Sequence, residues 1–173
     1  MIVEDPVKWL HNVLPGGHVK RFHTVKTVGT QTVAEHSFGV AMLVTAMEQG
    51  KPSCKLLKAA LFHDIAELVT GDTPAPTKWQ HPNLKAGLDV AERIFNEEFC
   101  LHHDLDGLYD WEQLVLKWAD MLEFLYYVLD QLRYGNGHAA VMFNNGVKFL
   151  ESMEQHLVGQ QILNHLITQR EAL

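Results

Sequence analysis

The chain has 173 residues, of which 47% are apolar, and this composition favours one globular domain, residues 1–173, with one core. The 14 Lys and Arg residues against 21 Asp and Glu residues give a net charge of −7, which argues against binding to a nucleic-acid polymer but allows one small phosphorylated ligand held by local cations. The N-terminal stretch MIVEDPVKWL is not expected to be a signal or transit peptide, and no run approaches the roughly 18 apolar residues that span a bilayer.

The first element is a short helix followed by a basic loop. Asp5 can cap a helix that Pro6 opens, since proline is tolerated in the first helical turn. This helix is predicted to end before the two glycines of LPGGH, and residues 14–31 are predicted to form a loop rich in basic side chains.

Two longer helices are predicted next. Thr32 and Glu35 have capping-box spacing at the start of TVAEHSFGVAMLVTAMEQG, and Gly50 supplies a stop. Ser53 can cap the following helix, which is predicted to run without a break through AALFHDIAELVTG to about Gly71.

The rest of the chain is also predicted to be helical. DTPAPTKWQHP is expected to be a turn-rich connection, because it contains three of the six prolines. The helical segments after it are NLKAGLDVAERIFNEEF, the long apolar WEQLVLKWADMLEFLYYVLDQLRYG, and two weaker patterns, HAAVMFNNGVKFLESMEQHL and QQILNHLITQREAL. Without an alternating strand pair, an internal repeat or a linker, the fold is predicted to be a compact all-α bundle.

The segment AALFHDIAELVTGD places polar side chains in an apolar helix. Ala60, His63, Asp64 and Glu67 follow the i, i+3, i+4, i+7 stripe. A buried carboxylate is expected to take up a proton, pair with a cation or bind metal, and imidazole with carboxylate suits Mn, Fe, Co, Ni or Zn. The alternative is a polar core cluster in which His63 satisfies a carbonyl and Asp64 pairs with Lys or Arg.

Two further residues extend this pattern. His36 lies among apolar neighbours in the preceding helix, and Asp120 lies in the long helix as LKWADMLEF. Each one alone is explained by an ordinary core or surface role. Together they give the order H...HD...D, which offers two nitrogens and at least two oxygens to one cation and leaves coordination positions for water and a substrate oxygen.

Four segments, KRFHT, VAEHS, FHDIAELVTGD with the following PAPTKW, and KWAD, carry a family resemblance over nearly the whole chain. In order and spacing the chain resembles the HD-domain phosphohydrolases, and among them the bacterial 5'-deoxynucleotidases. The basic GGHVKRFHT segment and the short length are similar to phage-type members, which include a dATP triphosphohydrolase. The resemblance implies an HD-type helical bundle that hydrolyses dATP to deoxyadenosine and triphosphate, or, as the alternative, a 5'-deoxynucleotidase acting on dNMPs.

The resemblance also implies roles for individual residues. One divalent transition metal, Mn, Co or Zn, is expected on His36, His63, Asp64 and Asp120. Glu67 is implied to handle the attacking water, although a helix-surface role is the alternative. Asp72 is implied to lie near the sugar or leaving group, although it could instead cap the next turn.

The residues expected to contact substrate are Arg21, Phe22, Lys78 and Trp79, with Lys20 and His23 as weaker cations. Arg21 matches a phosphate-contacting arginine, whose guanidinium fork suits paired phosphate oxygens. Phe22 stands where the bacterial enzymes have tryptophan, and its ring could pack against the sugar or base and leave no room for a ribose 2'-hydroxyl. Trp79 could stack on the base or simply cover the core.

Other classes of function are weighed against this one. A ferritin-like di-iron bundle needs paired Glu-x-x-His motifs, which the chain lacks. A catalytically silent nucleotide-binding HD module would keep the fold, and hydrolysis of a cyclic nucleotide or an alarmone is the nearest enzymatic rival. The expected partners are a small deoxynucleotide and, by analogy, further copies of the chain through the long helix. No membrane contact is expected, and the two unpaired cysteines fit the cytoplasm, that of the host if the protein is phage-encoded.

Overall fold

The computed structural model describes residues 5–101 and 107–173, and these residues are predominantly helical. The helices are α1 Pro6–Val13, a 3-10 helix Leu14–His18, α2 Val33–Met47, α3 Cys54–Phe62, α4 Glu67–Thr70, α5 Ala75–Gln80, α6 Pro82–Glu98, α7 Asp110–Arg133, α8 Ala139–Ser152 and α9 Leu157–Glu171. Extended pairing within the described ranges is limited to an antiparallel bridge between Lys20 and Thr32, so the all-α prediction is confirmed there. None of the described helices combines the length and apolar character that crossing a membrane requires.

The chain divides into two compact units, each with its own packing. The first unit comprises Met1–Ser37 and Leu61–Gly107, and the second comprises Phe38–Ala60 and Leu108–Leu173. In the first, α4 packs against α6 and the 3-10 helix, around a cluster that includes Val13, Ile65, Ala66, Phe95 and Leu101. In the second, α7 packs against α8 and α9, and its buried side chains include Trp118, Leu122 and Leu125. The single-domain interpretation stays a prediction.

Three predicted helix starts are confirmed by side-chain hydrogen bonds. Asp5 Oδ1 accepts the N–H groups two and three residues later, at 3.1 and 2.9 Å. Glu35 Oε2 accepts the N–H of Thr32 at 2.7 Å, and Thr32 Oγ1 accepts the N–H of Glu35 at 3.3 Å, which completes the capping box. Ser53 Oγ accepts the N–H three residues later at 3.0 Å. These bonds satisfy some of the N-terminal N–H groups that lack helical partners.

The prediction of one continuous helix through AALFHDIAELVTG is wrong, because the structure has a break within this segment. Helix α3 ends at Phe62, residues 63–66 form consecutive turns, and α4 begins at Glu67. The N–H of Ile65 bonds to the carbonyl of Phe62, and that of Glu67 bonds to that of Asp64. These three-residue bonds tighten the backbone, so His63 and Asp64 leave the regular helical register. Helix α4 ends at Thr70 and is capped by Gly71, where the stop was predicted, with a φ of 71° that glycine adopts at little cost.

Two other segments contain more helix than the sequence predicted. DTPAPTKWQHP forms α5 and the start of α6, because Pro76 lies in the first turn of α5 and Pro82 is the first residue of α6. Proline is tolerated at those positions, where its missing N–H has no helical partner to lose. The loop predicted for residues 14–31 begins with the 3-10 helix.

Replacing Gly16 by alanine is expected to destabilise the protein by about 1 to 3 kcal/mol. A Cβ atom at this position would lie 2.6 Å from the carbonyl oxygen of Ile65, in the turn that follows Asp64, and a backbone atom cannot move aside cheaply. Gly87→Ala in α6 is the matched control, since its Cβ would meet nothing within 4 Å and alanine favours a helix. Urea unfolding measures both, and a Gly16 variant as stable as the wild type would contradict this close packing.

Candidate active site

Three predicted metal ligands of the first unit come together. His36 is fully buried on α2, whereas His63 and Asp64 lie in the turn after α3. The Nε2 atoms of the two histidines are 3.2 Å apart. Asp64 Oδ2 lies 3.5 Å from His36 Nε2 and 3.4 Å from His63 Nε2. These three side chains form a group that could hold a metal ion.

The spacing of the three ligand atoms fits one transition-metal ion. Such a metal bonds nitrogen and carboxylate oxygen at about 2.0 to 2.2 Å. The three atoms lie 3.2, 3.4 and 3.5 Å apart, so a single ion could reach all of them. Two imidazoles and one carboxylate would also leave coordination positions for water or substrate.

Arg21 pairs with the same carboxylate. Its Nη1 atom lies 2.8 Å from Asp64 Oδ2, and 11% of its side chain is exposed. Its backbone N–H donates to the carbonyl of Gln31 at 2.8 Å, beside the Lys20–Thr32 bridge. The two interpretations of Asp64, metal ligand and ion-pair partner of an arginine, are therefore compatible with one geometry.

Glu67 has the most perturbed chemistry among these residues. Its side chain is 6% exposed, and within the described ranges its Oε2 atom has no hydrogen-bond partner. Burial, together with the negative charges of Asp64 and Asp72, raises the pKa of Glu67 to about 8, against the opposing effect of Arg21 and Lys78. A carboxyl group with this raised pKa takes up a proton more readily than an ordinary glutamate does.

Asp72 contacts backbone in the structure. Its Oδ2 atom accepts the N–H of Phe22 at 2.8 Å. Phe22 has a φ of 58°, a left-handed conformation that costs a non-glycine residue about 1 kcal/mol or more. The guanidinium carbon of Arg21 lies 5.6 Å from the centroid of the Phe22 ring.

The other predicted substrate-binding residues occupy less defined positions. Lys78 is half-buried on α5, and its charge lowers the pKa of Glu67. Trp79 is 63% exposed, so it does not simply cover the core. Lys20 and His23 are exposed.

Asp120, the fourth predicted metal ligand, belongs to the second unit. It lies on α7, and Lys117 Nζ is 3.0 Å from its Oδ2 atom. Its role in metal binding stays a prediction.

The sequence interpretation missed Gln31 as a residue that positions the site. Its carbonyl accepts the N–H of Arg21, next to the bridge that Lys20 makes with Thr32. In the sequence, a Gly-Thr turn lies between the basic side chains and the capping box at Thr32. That pattern is at most a weak signal that the two segments pair. Any residue type could supply this carbonyl, so the sequence did not identify it.

The comparisons with known proteins agree with this fold. A family model described as 5'-deoxynucleotidase YfbR-like matches residues 16–167. The HD phosphohydrolase DatZ of cyanophage S-2L, solved with dA and one catalytic Zn2+ ion, superposes with a TM-score of 0.67 at 20% identity, over 99% of this chain and 97% of DatZ. The PH0347 protein of Pyrococcus horikoshii OT3 superposes with a TM-score of 0.74 at 22% identity, over 94% of this chain and 99% of that protein.

Two relatives with assigned activities are similar in sequence. A dATP triphosphohydrolase of Salmonella phage PMBT28 is 29% identical over 153 residues, which cover 80% of this chain and 75% of the relative. A 5'-deoxynucleotidase of Yersinia pestis strain Pestoides F is 27% identical over 138 residues, which cover 68% of this chain and 70% of the relative.

The matching family model, together with the fold and the His-His-Asp group, defines an enzyme class, the HD-domain phosphohydrolases. The matched region spans most of the chain, and the chain belongs to the YfbR-like 5'-deoxynucleotidase family. It is therefore a hydrolase with a metal-competent site, as the sequence predicted.

The raised pKa of Glu67 predicts that the difference in stability between the wild type and Glu67→Gln depends on pH in the metal-free protein. A carboxyl group whose pKa rises from 4.5 to about 8 on folding makes the folded state less stable as the pH increases through this interval. Glutamine does not titrate, so the stability of the wild type relative to the variant should fall by a few kcal/mol between pH 5 and pH 9. Denaturant unfolding with a chelator measures it, and a difference independent of pH would contradict the raised pKa.

Proposed function

We propose that this enzyme uses one divalent transition metal, Mn, Co or Zn, to hydrolyse dATP to deoxyadenosine and triphosphate. The observation that carries the proposal is the convergence of His36, His63 and Asp64, with Arg21 bound to the carboxylate of Asp64. A metal-competent group beside an arginine suits a phosphate ester, because both the ester and its transition state carry negative charge.

In the proposed reaction, the oxygen of a water molecule bonds to the α-phosphorus of dATP, and the bond from that phosphorus to O5' breaks. The proton lost by the water is balanced by the proton that O5' gains. His36, His63, Asp64 and the predicted ligand Asp120 would hold the metal. When bound, the metal supplies Lewis acidity at the phosphoryl group and lowers the pKa of water.

The remaining steps belong to side chains of the first unit. Arg21 binds phosphate oxygens through its guanidinium, and Lys78 offsets part of the charge of the triphosphate. Glu67 takes the proton of the attacking water at its carboxylate, the form that nearby positive charge favours. Phe22 packs against the sugar, and Trp79 is available to the base through its exposed ring.

The choice of dATP is supported by two similar proteins. The relative from Salmonella phage PMBT28 is a dATP triphosphohydrolase, and the structure of DatZ contains dA. Support for the second candidate, hydrolysis of dNMPs, comes from the description of the family and from the Yersinia pestis relative. A catalytically silent module would keep the metal group and cleave neither substrate.

The substrate proposal predicts one pattern of products. With Mn, Co or Zn, dATP should give deoxyadenosine and triphosphate, while dAMP, ATP and AMP stay largely intact. Chromatography after incubation with the four dNTPs, the four dNMPs, ATP and AMP measures this. Release of phosphate from dNMPs alone would establish the 5'-deoxynucleotidase instead, and metal binding without any cleavage would establish the silent module.

The metal proposal predicts which variants lose affinity. His63→Ala and Asp120→Asn should each weaken Mn binding at least about tenfold, because each removes a donor from the coordination shell. His11→Ala is the control, since this exposed histidine lies on α1 outside the group. Calorimetric titration of the chelator-treated protein measures the three affinities. An Asp120→Asn variant that binds Mn like the wild type would remove Asp120 from the ligand set.

We also propose that the enzyme acts in the cytoplasm, that of the host if it is phage-encoded, and as a homo-oligomer. Between Leu114 and Leu132 on α7, the side chain of Tyr126 is 40% exposed, which makes it a candidate for this contact. Light scattering of the purified protein measures the order of any assembly.

A further inference from the structure

Asp72 follows directly on the helix that carries Glu67. Helix α4 ends at Thr70 and is capped by Gly71, whose N–H donates to the carbonyl of Glu67 at 2.7 Å. The next residue, Asp72, accepts the N–H of Phe22 at 2.8 Å, which connects two segments 50 residues apart in sequence. The end of α4 is thereby tied to the backbone that carries Arg21.

This connection adds to the anchoring of the Arg21 backbone. On one side, the N–H of Arg21 donates to the carbonyl of Gln31 at 2.8 Å. On the other, Phe22 adopts a left-handed backbone with a φ of 58°, which a phenylalanine rarely adopts unless its surroundings hold it there. The bond from the N–H of Phe22 to Asp72 is one contact that stabilises this conformation. Its loss would free the backbone to relax and would move the guanidinium of Arg21.

We propose that Asp72 is a positioning residue whose carboxylate, by accepting the N–H of Phe22, fixes the backbone of Arg21 and so sets where the enzyme binds phosphate. The proposal rests on the phosphate-binding role of Arg21 in the proposed function. It differs from the role near the sugar or leaving group that the family resemblance implies, because Asp72 here acts through another residue.

The two roles make different demands on residue 72. A positioning residue needs an oxygen acceptor and no charge, so asparagine can replace aspartate. A residue that handles a proton or a developing charge needs the carboxylate, so asparagine fails as alanine does. The negative charge of Asp72 also repels a phosphate anion. Removal of this charge alone therefore does not weaken phosphate affinity.

The test compares Asp72→Ala with Asp72→Asn. Asp72→Ala should raise KM for the deoxynucleotide about tenfold, with kcat within about threefold of the wild type, because a hydrogen bond to a charged group is lost. Asp72→Asn should restore a KM near that of the wild type. Asp89→Ala is the control, since it removes the same charge from an exposed position on α6 and should change neither constant. A kcat lost equally in the alanine and asparagine variants would overturn the proposal.

A second measurement does not depend on turnover. Calorimetry with inorganic tripolyphosphate, without added metal, should show about tenfold weaker binding for Asp72→Ala and no weakening for Asp72→Asn. In an Arg21→Ala background, Asp72→Ala should have no further effect, because the two residues act through one interaction. Additive losses would overturn the proposal, as would a wild-type protein that does not bind tripolyphosphate.

The backbone contact itself can be observed by amide hydrogen exchange at Phe22. Exchange should be faster in Asp72→Ala than in the wild type and in Asp72→Asn, and equal rates in all three would overturn the proposal. If the wild type hydrolyses no deoxynucleotide, the proposed substrate fails, while exchange and tripolyphosphate binding still decide the role of Asp72.

Discussion

The Oδ2 atom of Asp64 lies within 3.5 Å of three nitrogen atoms, two from imidazoles and one from a guanidinium. A largely buried carboxylate must be compensated by positive charge, metal or hydrogen-bond donors, and this requirement organises the first unit. It explains why the chain leaves helical geometry at residues 63–66, since the tightened turns bring Asp64 to His36 on α2 and to Arg21 on a distant loop. The backbone of Gly16 packs closely against Ile65 in the same turn.

The charges around Glu67 determine how readily its carboxyl group gains or loses a proton. The chain carries a net charge of −7, yet Arg21 and Lys78 both act on Glu67 and oppose the effect of its acidic neighbours. Burial raises the pKa of Glu67, and positive charge introduced nearby would lower it and favour the carboxylate form. A site in which one carboxyl group changes its protonation with the local charge is suited to proton transfer during hydrolysis of a phosphate ester.

The site is assembled from segments that are distant in sequence, and backbone contacts hold them together. The loop that carries Arg21 is fixed through Gln31 and Thr32 at the start of α2, and through Asp72 at the end of α4. Anchoring at two ends keeps a long arginine side chain in one place and so lowers the entropy lost when phosphate binds. Two solved structures share the fold with this chain at only 20 to 22% identity, since many combinations of apolar side chains satisfy the same helical packing.

The sequence by itself determined the helical class, the capped starts at Asp5, Thr32 and Ser53, and the residue types of a metal-competent group, because capping and helical periodicity are local properties. It did not predict the break after Phe62 or the helix at Ala75–Gln80, where turn geometry and the tolerance for proline in a first turn outweighed the local pattern. Only the tertiary structure decided that Arg21 pairs with Asp64 and that Asp72 binds the N–H of Phe22. These contacts join residues 43 and 50 positions apart, and no spacing rule relates them, because their separation depends on how whole helices pack.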